Sequence, residues 1–415
     1  MLRMLHVTRP RRLIVALIIV VCLADAADKA IERDVVLSAR YHNTLQRWLG
    51  THAPVRPRAP GNNFLIFRQA SRHLLAGRDL YATYPSEHED RFKYSPAFAL
   101  LFTAFAYLPF FLGLFLWDLA NMLALLYALD VLLGNRMPLA FALVAPEAFR
   151  ALQTAQSNSL VAASIILAFV ALERGQQLRA AAWIVLSTII KIFPLVACTF
   201  ALRRPRMWRF VAVTAALLCA VLLLPAVVTG LSGLVQQYRS WLVLERSDAT
   251  AYMSSVMGVL HDIGLSLPNL LVQLLGLAVL LIGLLRASAS SRDAYTRLAS
   301  VLIFVVIFNH QAERPSYVIA MSGIAIWYLV SERAAWRTAA LVCALVCISG
   351  GALFLPKPWL HSEVVTHMRL VMPVFIIWCA VQYELTQMPP GHQRRKQLGG
   401  NSEEETARRK PRECA

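Results

Sequence analysis

Apolar residues run in long blocks along this chain, and the polar residues between them gather in short clusters. A helix needs roughly 20 apolar residues to cross a bilayer. Blocks approaching that length recur at about 12–27, 95–110, 111–134, 157–173, 208–230, 267–285, 298–308, 316–331, 337–355 and 370–386. One further block, Ala180 to Leu202, behaves differently. Lys191 and Pro194 interrupt it, and basic clusters flank both ends, in Glu173–Arg179 and Arg203–Arg209. The positive-inside rule places both flanks on the cytoplasmic side, which a single span cannot do. Two short helices broken at Lys191-Ile192-Phe193-Pro194, dipping in and returning, can. Segment 138–150, too brief to cross and carrying Pro146, Glu147 and Arg150, is expected to re-enter as well. The expected fold is an all-α polytopic membrane protein, a bundle of about 10–12 membrane helices including re-entrant segments.

The polar clusters set the organisation. Arg9, Arg11 and Arg12 hold the N-terminus inside, so the first block exits and leaves 27–93 as a large outer loop. Ile31, Val35, Ala39, His42 and Leu45 fall at helical spacing and predict an amphipathic helix on the membrane. Pro54 to Gly61 reads as a linker. Asn62 or Asn63 is expected to cap a second helix, with Phe64, Phe67, Ala70 and Leu74 on one face and Gly77 ending it. Residues 231–265 form a second outer loop. The membrane domain occupies 1–388. The tail 389–415, rich in Gly, Glu, Arg and Lys, is read as disordered and cytoplasmic. The localisation expected is a multi-pass protein of the cytoplasmic (inner) membrane with both termini cytoplasmic. The N-terminus is read as an uncleaved first helix rather than a cleaved signal.

Composition supports this. Of 415 residues 58% are hydrophobic, and mean hydropathy is +0.54, above soluble-domain usage. The net charge of +17 sits in loops between apolar blocks, which is orientation bias and not a nucleic-acid-binding stripe. No nucleic-acid partner is expected. The seven cysteines lie mostly inside apolar blocks, with none in 27–93, so no disulfide framework is read. The outer-face acids are too scattered for metal-ligand spacing, and neither metal nor cofactor is expected.

Candidate chemistry lies in the outer loops and at the break. Arg68 and Arg72, one turn apart, project together and suit an anion such as lipid phosphate, since guanidinium groups hold phosphate in bidentate fashion. Gln156 can hydrogen-bond sugar hydroxyls, while Asn158 reads as either ligand or helix cap. Lys191 either neutralises a phosphate or pairs with Glu147 or Asp118. His310, beside Glu313 and Arg314, reads as a substrate-facing residue or as part of a structural cluster. No nucleotide-binding or soluble-hydrolase motif is present.

Four ordered signals carry a resemblance. They are Asn63-Phe-Leu-Ile-Phe-Arg-Gln-Ala-Ser-Arg-His-Leu-Leu-Ala-Gly-Arg-Asp-Leu-Tyr81, Phe92-Lys-Tyr-Ser-Pro-Ala-Phe-Ala-Leu-Leu101, Ala155-Gln-Ser-Asn-Ser159, and Lys191-Ile-Phe-Pro194 with its arginine-rich turn. Over roughly 60–330 the chain resembles glycosyltransferase family 87, membrane enzymes of the GT-C type. The resemblance implies an inverting transferase moving a hexose such as mannose from a polyprenyl-phosphate carrier to a glycan or glycolipid acceptor at the outer membrane face. It also implies substrate-facing roles for Asn63, Lys93 and Tyr94, and a carboxylate base in the first outer loop. Family members commonly carry an acid before the aromatic that Phe64 matches, whereas this chain has Asn62 and Asn63. The base is then sought among Asp28, Glu32, Asp34 and Asp79, with Asp34 and Asp79 the leading candidates. A transporter or flippase of a lipid-linked or anionic solute, and a non-catalytic component of an envelope-glycan assembly, are the competing readings.

Overall fold

The structure, a computed structural model, describes residues 9–37, 61–202, 204–248, 253–287, 290–350 and 362–387, with the side chains of 9, 34–37 and 291 left out of that description. The described residues are helical with no strand. In chain order the helices are α1 (Arg9–Leu37), α2 (Asn62–Leu75), α3 (Pro96–Leu101), α4 (Thr103–Ala106), α5 (Phe110–Leu133), α6 (Met137–Gln153), α7 (Asn158–Glu173) and α8 (Gln177–Ile190). After a 3₁₀ segment, Phe193–Ala201, come α9 (Met207–Leu223), α10 (Ala226–Asp248), α11 (Val256–Asp262), α12 (Asn269–Arg286) and α13 (Ser291–Ile307). A 3₁₀ turn, Arg314–Ser316, leads into α14 (Tyr317–Val330), α15 (Ala335–Ile348) and α16 (Glu363–Thr386).

Two helices form the centre because they are apolar all round. Every residue of α7 from Val161 to Leu172 and of α14 from Tyr317 to Trp327 is buried. A helix without a polar face has no orientation in which water is tolerated, so it sits inside. Around them pack α5, α6, α8 and α13. The outer helices bury one side only. On α12, Leu270, Leu271, Leu274, Leu275, Val279, Ile282 and Leu285 are exposed, a leucine face that only lipid could solvate. Three stretches, 110–153, 269–286 and 363–386, are long and apolar enough to cross a membrane, and α9 with α10 makes a fourth if that pair, bent by 94°, is one span. The protein is a multi-pass membrane protein.

Gly276 lets α12 close on the bundle. A Cβ there would lie 2.3 Å from the Phe308 ring, nearer than two non-bonded carbons can approach.

Several sequence expectations change. The block 95–110 is not a span: it forms α3 and α4, six and four residues long. At 1.5 Å per residue neither approaches the membrane thickness. Its apolar residues are spent on α2 instead, where Phe64, Phe67, Phe98, Phe102 and Trp117 meet edge-on or tilted. The first helix does not stop at 27 but runs to Leu37, so Ile31 and Val35 continue α1; Ala39, His42, Leu45 and the linker 54–60 lie outside the described residues. Neither asparagine caps α2. Gly61, with φ of 69°, takes the cap position and the asparagines begin the helix. Segment 138–150 belongs to a 17-residue helix that continues through Pro146. Residues 231–248, read as outer loop, are the body of α10. The break after Ile190 is where the sequence put it: Lys191 is extended, with φ −142° and ψ 136°.

Candidate functional site

The site assembles where three breaks in helical structure meet. The first is Phe92-Lys93-Tyr94-Ser95, leading into α3. The Ser95 hydroxyl donates to Ile189 O at 2.7 Å and accepts from Phe98 N at 3.2 Å, so one side chain caps α3 and fastens it to the end of α8. The second break is Lys191, two residues after Ile189. The third is Thr154–Ser157, between α6 and α7. There Ala155 has φ of 51°, a left-handed conformation costing a non-glycine residue roughly 1–2 kcal/mol. The Trp117 indole donates to Ala155 O at 3.0 Å and holds the turn.

These breaks border a cavity of about 270 Å³ closed by α10 and by residues 309–313. Gln156 is its hinge. Its Nε2 donates to Glu313 Oε2 at 3.0 Å, and its Oε1 lies 3.4 Å from the Tyr94 hydroxyl that donates to it. Tyr94 is fixed in turn by Tyr81, whose hydroxyl donates to Tyr94 O at 2.8 Å.

The charges on the wall divide into committed and uncommitted ones. Lys93 pairs with Asp248 at 2.9 Å. Burial disfavours the Lys93 ammonium, but the Asp248 hydrogen bond and nearby Asp90 outweigh it and raise its pKa above the ordinary lysine range. Glu245 accepts from the Trp241 indole at 3.1 Å and from Gln311 Nε2 at 3.3 Å. Lys191 has only the Ser316 hydroxyl, at 3.3 Å, and no carboxylate within ion-pair reach among the described residues. Glu313 has Gln156 and, among the described residues, no cation in ion-pair contact. His310 Nδ1 sits 3.2 Å from Gln273 Nε2, an amide that can only donate, so His310 carries its proton on Nε2, an atom buried without a partner. Burial lowers the His310 pKa, so the ring is neutral at pH 7.

A second cavity, of about 380 Å³, adjoins the first through Glu313, which lines both. Its wall carries Asn62, Asn63, Asp28, Glu32 and Asp90. Asn63 Nδ2 donates to Thr154 O at 2.7 Å, and Asn62 Oδ1 accepts from Glu89 N at 3.1 Å. Where the resemblance leads one to expect an acid, an amide stands, with carboxylates from α1 and from Glu313 around it.

The structure brings Lys93, Tyr94, Gln156, Lys191 and His310 onto one cavity wall, and Asn63 onto the adjoining one. Others lie elsewhere. Arg68 donates to Ala106 O at 2.9 Å and Leu108 O at 3.0 Å, and Arg72 to Ala106 O at 3.1 Å. Both arginines close the open carbonyl end of α4, a role favoured for cations at a helix C-terminus. Asp79 accepts from Tyr81 N and from the Ser240 hydroxyl, each at 3.0 Å, tying a turn to α10 away from the cavity. Asn158 starts α7, fully buried, and caps nothing. Asp34 belongs to α1, and its side chain lies outside the described residues. Lys191 pairs with neither Glu147 nor Asp118: Glu147 accepts from Ser349 at 2.9 Å, and Asp118 sits beside Asp25 and Lys29. Glu313, Glu245, Asp248 and Trp241 were not singled out as site residues in the sequence. The polar run Asn309–Arg314 between two apolar blocks was the signal for Glu313. Among the described residues, no group of three or more His, Cys, Asp or Glu could hold a metal.

A multi-pass helical bundle with a polar, charged cavity walled by helix breaks suits a protein that handles a polar substrate at the membrane. The sequence model of glycosyltransferase family 87 matches residues 92–309, just over half of the chain, and the chain belongs to that family. The match opens at Phe92, ahead of the Lys93-Tyr94-Ser95 break, takes in Gln156 and Lys191, and closes at Asn309, four residues short of Glu313. No curated protein matches the chain. Family membership makes it a glycosyltransferase with a glycan-type acceptor in a membrane setting, and selects sugar transfer over the transport reading.

Proposed function

We propose that the protein is an inverting hexosyltransferase that moves a sugar such as mannose from a polyprenyl-phosphate carrier to a hydroxyl of a glycan or glycolipid. It works at the outer face of the cytoplasmic membrane, with both termini on the cytoplasmic side. The observation that carries this reading is the pair of uncommitted opposite charges, Lys191 and Glu313, on one cavity wall. A transfer that attacks an anomeric carbon and expels a phosphate needs that pair: a base for the attacking hydroxyl and a cation for the departing oxygen.

In this reading the carrier's phosphate lies by Lys191 and the acceptor enters the adjoining cavity. The acceptor oxygen attacks the sugar C1 as its proton passes to Glu313. The C1–O bond to phosphate breaks, and the bonding pair leaves with the phosphate, stabilised by Lys191. Gln156 orients the Glu313 carboxylate, and neutral His310 offers an Nε2–H donor. Asp34 and Asp79 remain the sequence-based alternatives for the base; Asp79 already spends both carboxylate oxygens on Tyr81 and Ser240.

The test is transfer of radiolabelled sugar from polyprenyl-phosphate-linked mannose, glucose and arabinose in membranes holding the wild-type protein. Labelled glycan or glycolipid from the mannose or glucose donor supports the reading and names the sugar, whereas labelling from the arabinose donor alone keeps the lipid-phosphate donor and overturns the hexose. Labelling from none of them, with the protein folded and present, counts against a lipid-phosphate donor.

A further inference from the structure

Beyond the transfer cavity, three arginines from three elements gather at the end of α15. Arg314 Nη2 donates to Ile348 O at 3.3 Å, and Arg369 Nη1 reaches the same carbonyl at 3.2 Å and also Cys347 O. The third, Arg150, has its Nε 3.4 Å from Glu147 Oε2. The other oxygen of Glu147 accepts from the Ser349 hydroxyl at 2.9 Å, so Arg150 is held beside the residue that follows Ile348. None of the three lines the transfer cavity.

The charges here do not balance. Among the described residues, three guanidinium groups face one carboxylate and the C-terminal end of one helix, which counts for about half a negative charge. About one and a half positive charges are left over. Segment 351–361, which follows in the chain, contains Lys357 and His361 but no acid. Arg314 Nε is buried without a hydrogen-bond partner among the described residues. Burial first, and then the nearby guanidinium groups of Arg150 and Arg369, push the Arg314 pKa down to about 10 against the opposing pull of Glu147. Carbonyl capping alone explains one arginine, or two sharing Ile348 O. It does not call for the third guanidinium, Arg150, which its ion pair with Glu147 holds beside the same end.

The surroundings say what kind of anion fits. Helices α15 and α16 pack together, and both present apolar side chains outward within two turns of the arginines: Val342 and Val346 on one, Met372 and Ile376 on the other. A phosphate matches the convergent guanidinium donors, and a hydrocarbon chain matches the apolar flanks.

We propose that Arg150, Arg314 and Arg369 form a binding site for the phosphate group of a lipid, separate from the transfer cavity. The shared chemistry is a phosphate ester on a hydrocarbon chain, supplied either by an anionic membrane lipid or by an isoprenoid phosphate. Arg314 directly follows Glu313, so a lipid bound here fixes the loop that carries the carboxylate.

The experiment measures ligand-dependent thermal stabilisation of the full purified chain in uncharged detergent. Three probes are titrated: inorganic phosphate, short-chain phosphatidylglycerol and a short-chain isoprenyl phosphate. A ligand that binds only the native state raises the melting midpoint with concentration. At least one lipid phosphate should do so, at concentrations where inorganic phosphate does not. Arg314→Gln with Arg369→Gln should weaken the apparent affinity at least tenfold, while Lys191→Ala leaves it within threefold. Glu147→Gln, which removes the competing negative charge, should tighten it several-fold, a change of sign that a purely structural cluster would not produce. Should the double variant fail to fold, Arg150→Gln serves in its place. Stabilisation by phosphatidylglycerol alone assigns a membrane-lipid site, and by isoprenyl phosphate alone a carrier site. Equal stabilisation by inorganic phosphate, unchanged affinity in the arginine variants, or loss in Lys191→Ala alone would overturn the proposal.

Discussion

Gln156 donates to Glu313 across 157 positions of sequence, at 3.0 Å, and this bond joins the turn before α7 to the loop before α14. The two central helices of the bundle therefore enter the site locked together at their starts. One oxygen of Glu313 is fixed by the amide, and the carboxylate borders both cavities. The arrangement presents a charged group in a single orientation, as base chemistry requires.

Lys191→Ala should lower kcat for sugar transfer by about 10²- to 10³-fold, the usual cost of removing one group that stabilises developing negative charge. Lys191→Arg should recover part of it, because the charge is kept and only its geometry changes. Turnover under saturating donor checks this. Equal rates in Lys191→Ala and wild type would remove Lys191 from the leaving-group role.

Ser95→Ala should destabilise the protein by about 2 kcal/mol, combining a lost helix cap with a buried carbonyl left unpaired. Activity should fall with it, since Ile189 anchors the turn that positions Lys191. Ser95→Thr, which keeps the hydroxyl, should lie nearer wild type in both respects. Thermal unfolding and initial rates on the same preparations make the comparison.

Arg68→Ala should lower the melting midpoint yet leave the KM for the donor within about threefold, because Arg68 bonds the Ala106 and Leu108 carbonyls and not the cavity. A donor KM raised tenfold or more would return Arg68 to substrate binding.

Acid should weaken the fold through buried histidines. Burial lowers the pKa of His73, His88 and His310 below the ordinary 6.5. On acidification the unfolded chain takes up these protons first, so stability is full above about pH 6.5 and falls below it until the folded groups themselves protonate. The melting midpoint in detergent should be lower at pH 5 than at pH 7.5. Replacing His73 with glutamine should make that fall shallower.

The sequence revealed the broken block at Lys191 because charge and proline inside apolar chain have few physical solutions, and the structure breaks there. Of the main cavity wall, Gln156, Lys191 and His310 stood out at interruptions of the helical pattern, and Lys93 and Tyr94 came from the family resemblance. The segment 95–110 misled because apolar content alone does not say whether a segment faces lipid or another helix. Here Phe98 and Phe102 meet Phe67, a contact invisible to periodicity. Arg68 and Arg72 misled for a related reason: cations one turn apart suit a phosphate and the carbonyl end of a neighbouring helix equally well, and the α4 end exists only in the folded chain. Glu313 escaped because a carboxylate beside His310 and Arg314 has the pattern of a structural cluster at the end of a span. Its bond to Gln156 is long-range and leaves no local trace.

The central claim is that Glu313 takes the acceptor's proton, and the most direct measurement is the transfer rate of Glu313→Gln from a polyprenyl-phosphate-linked sugar. The substitution keeps the shape and a hydrogen-bonding oxygen for Gln156 while removing the base. The account predicts a rate at least about 10²-fold below wild type, with donor KM within a few-fold and the melting midpoint preserved. Asp79→Asn should retain most activity. A Glu313→Gln enzyme that turns over at the wild-type rate, with transfer lost instead in Asp28→Asn, Glu32→Gln or Asp34→Asn, would contradict it and place the base on α1.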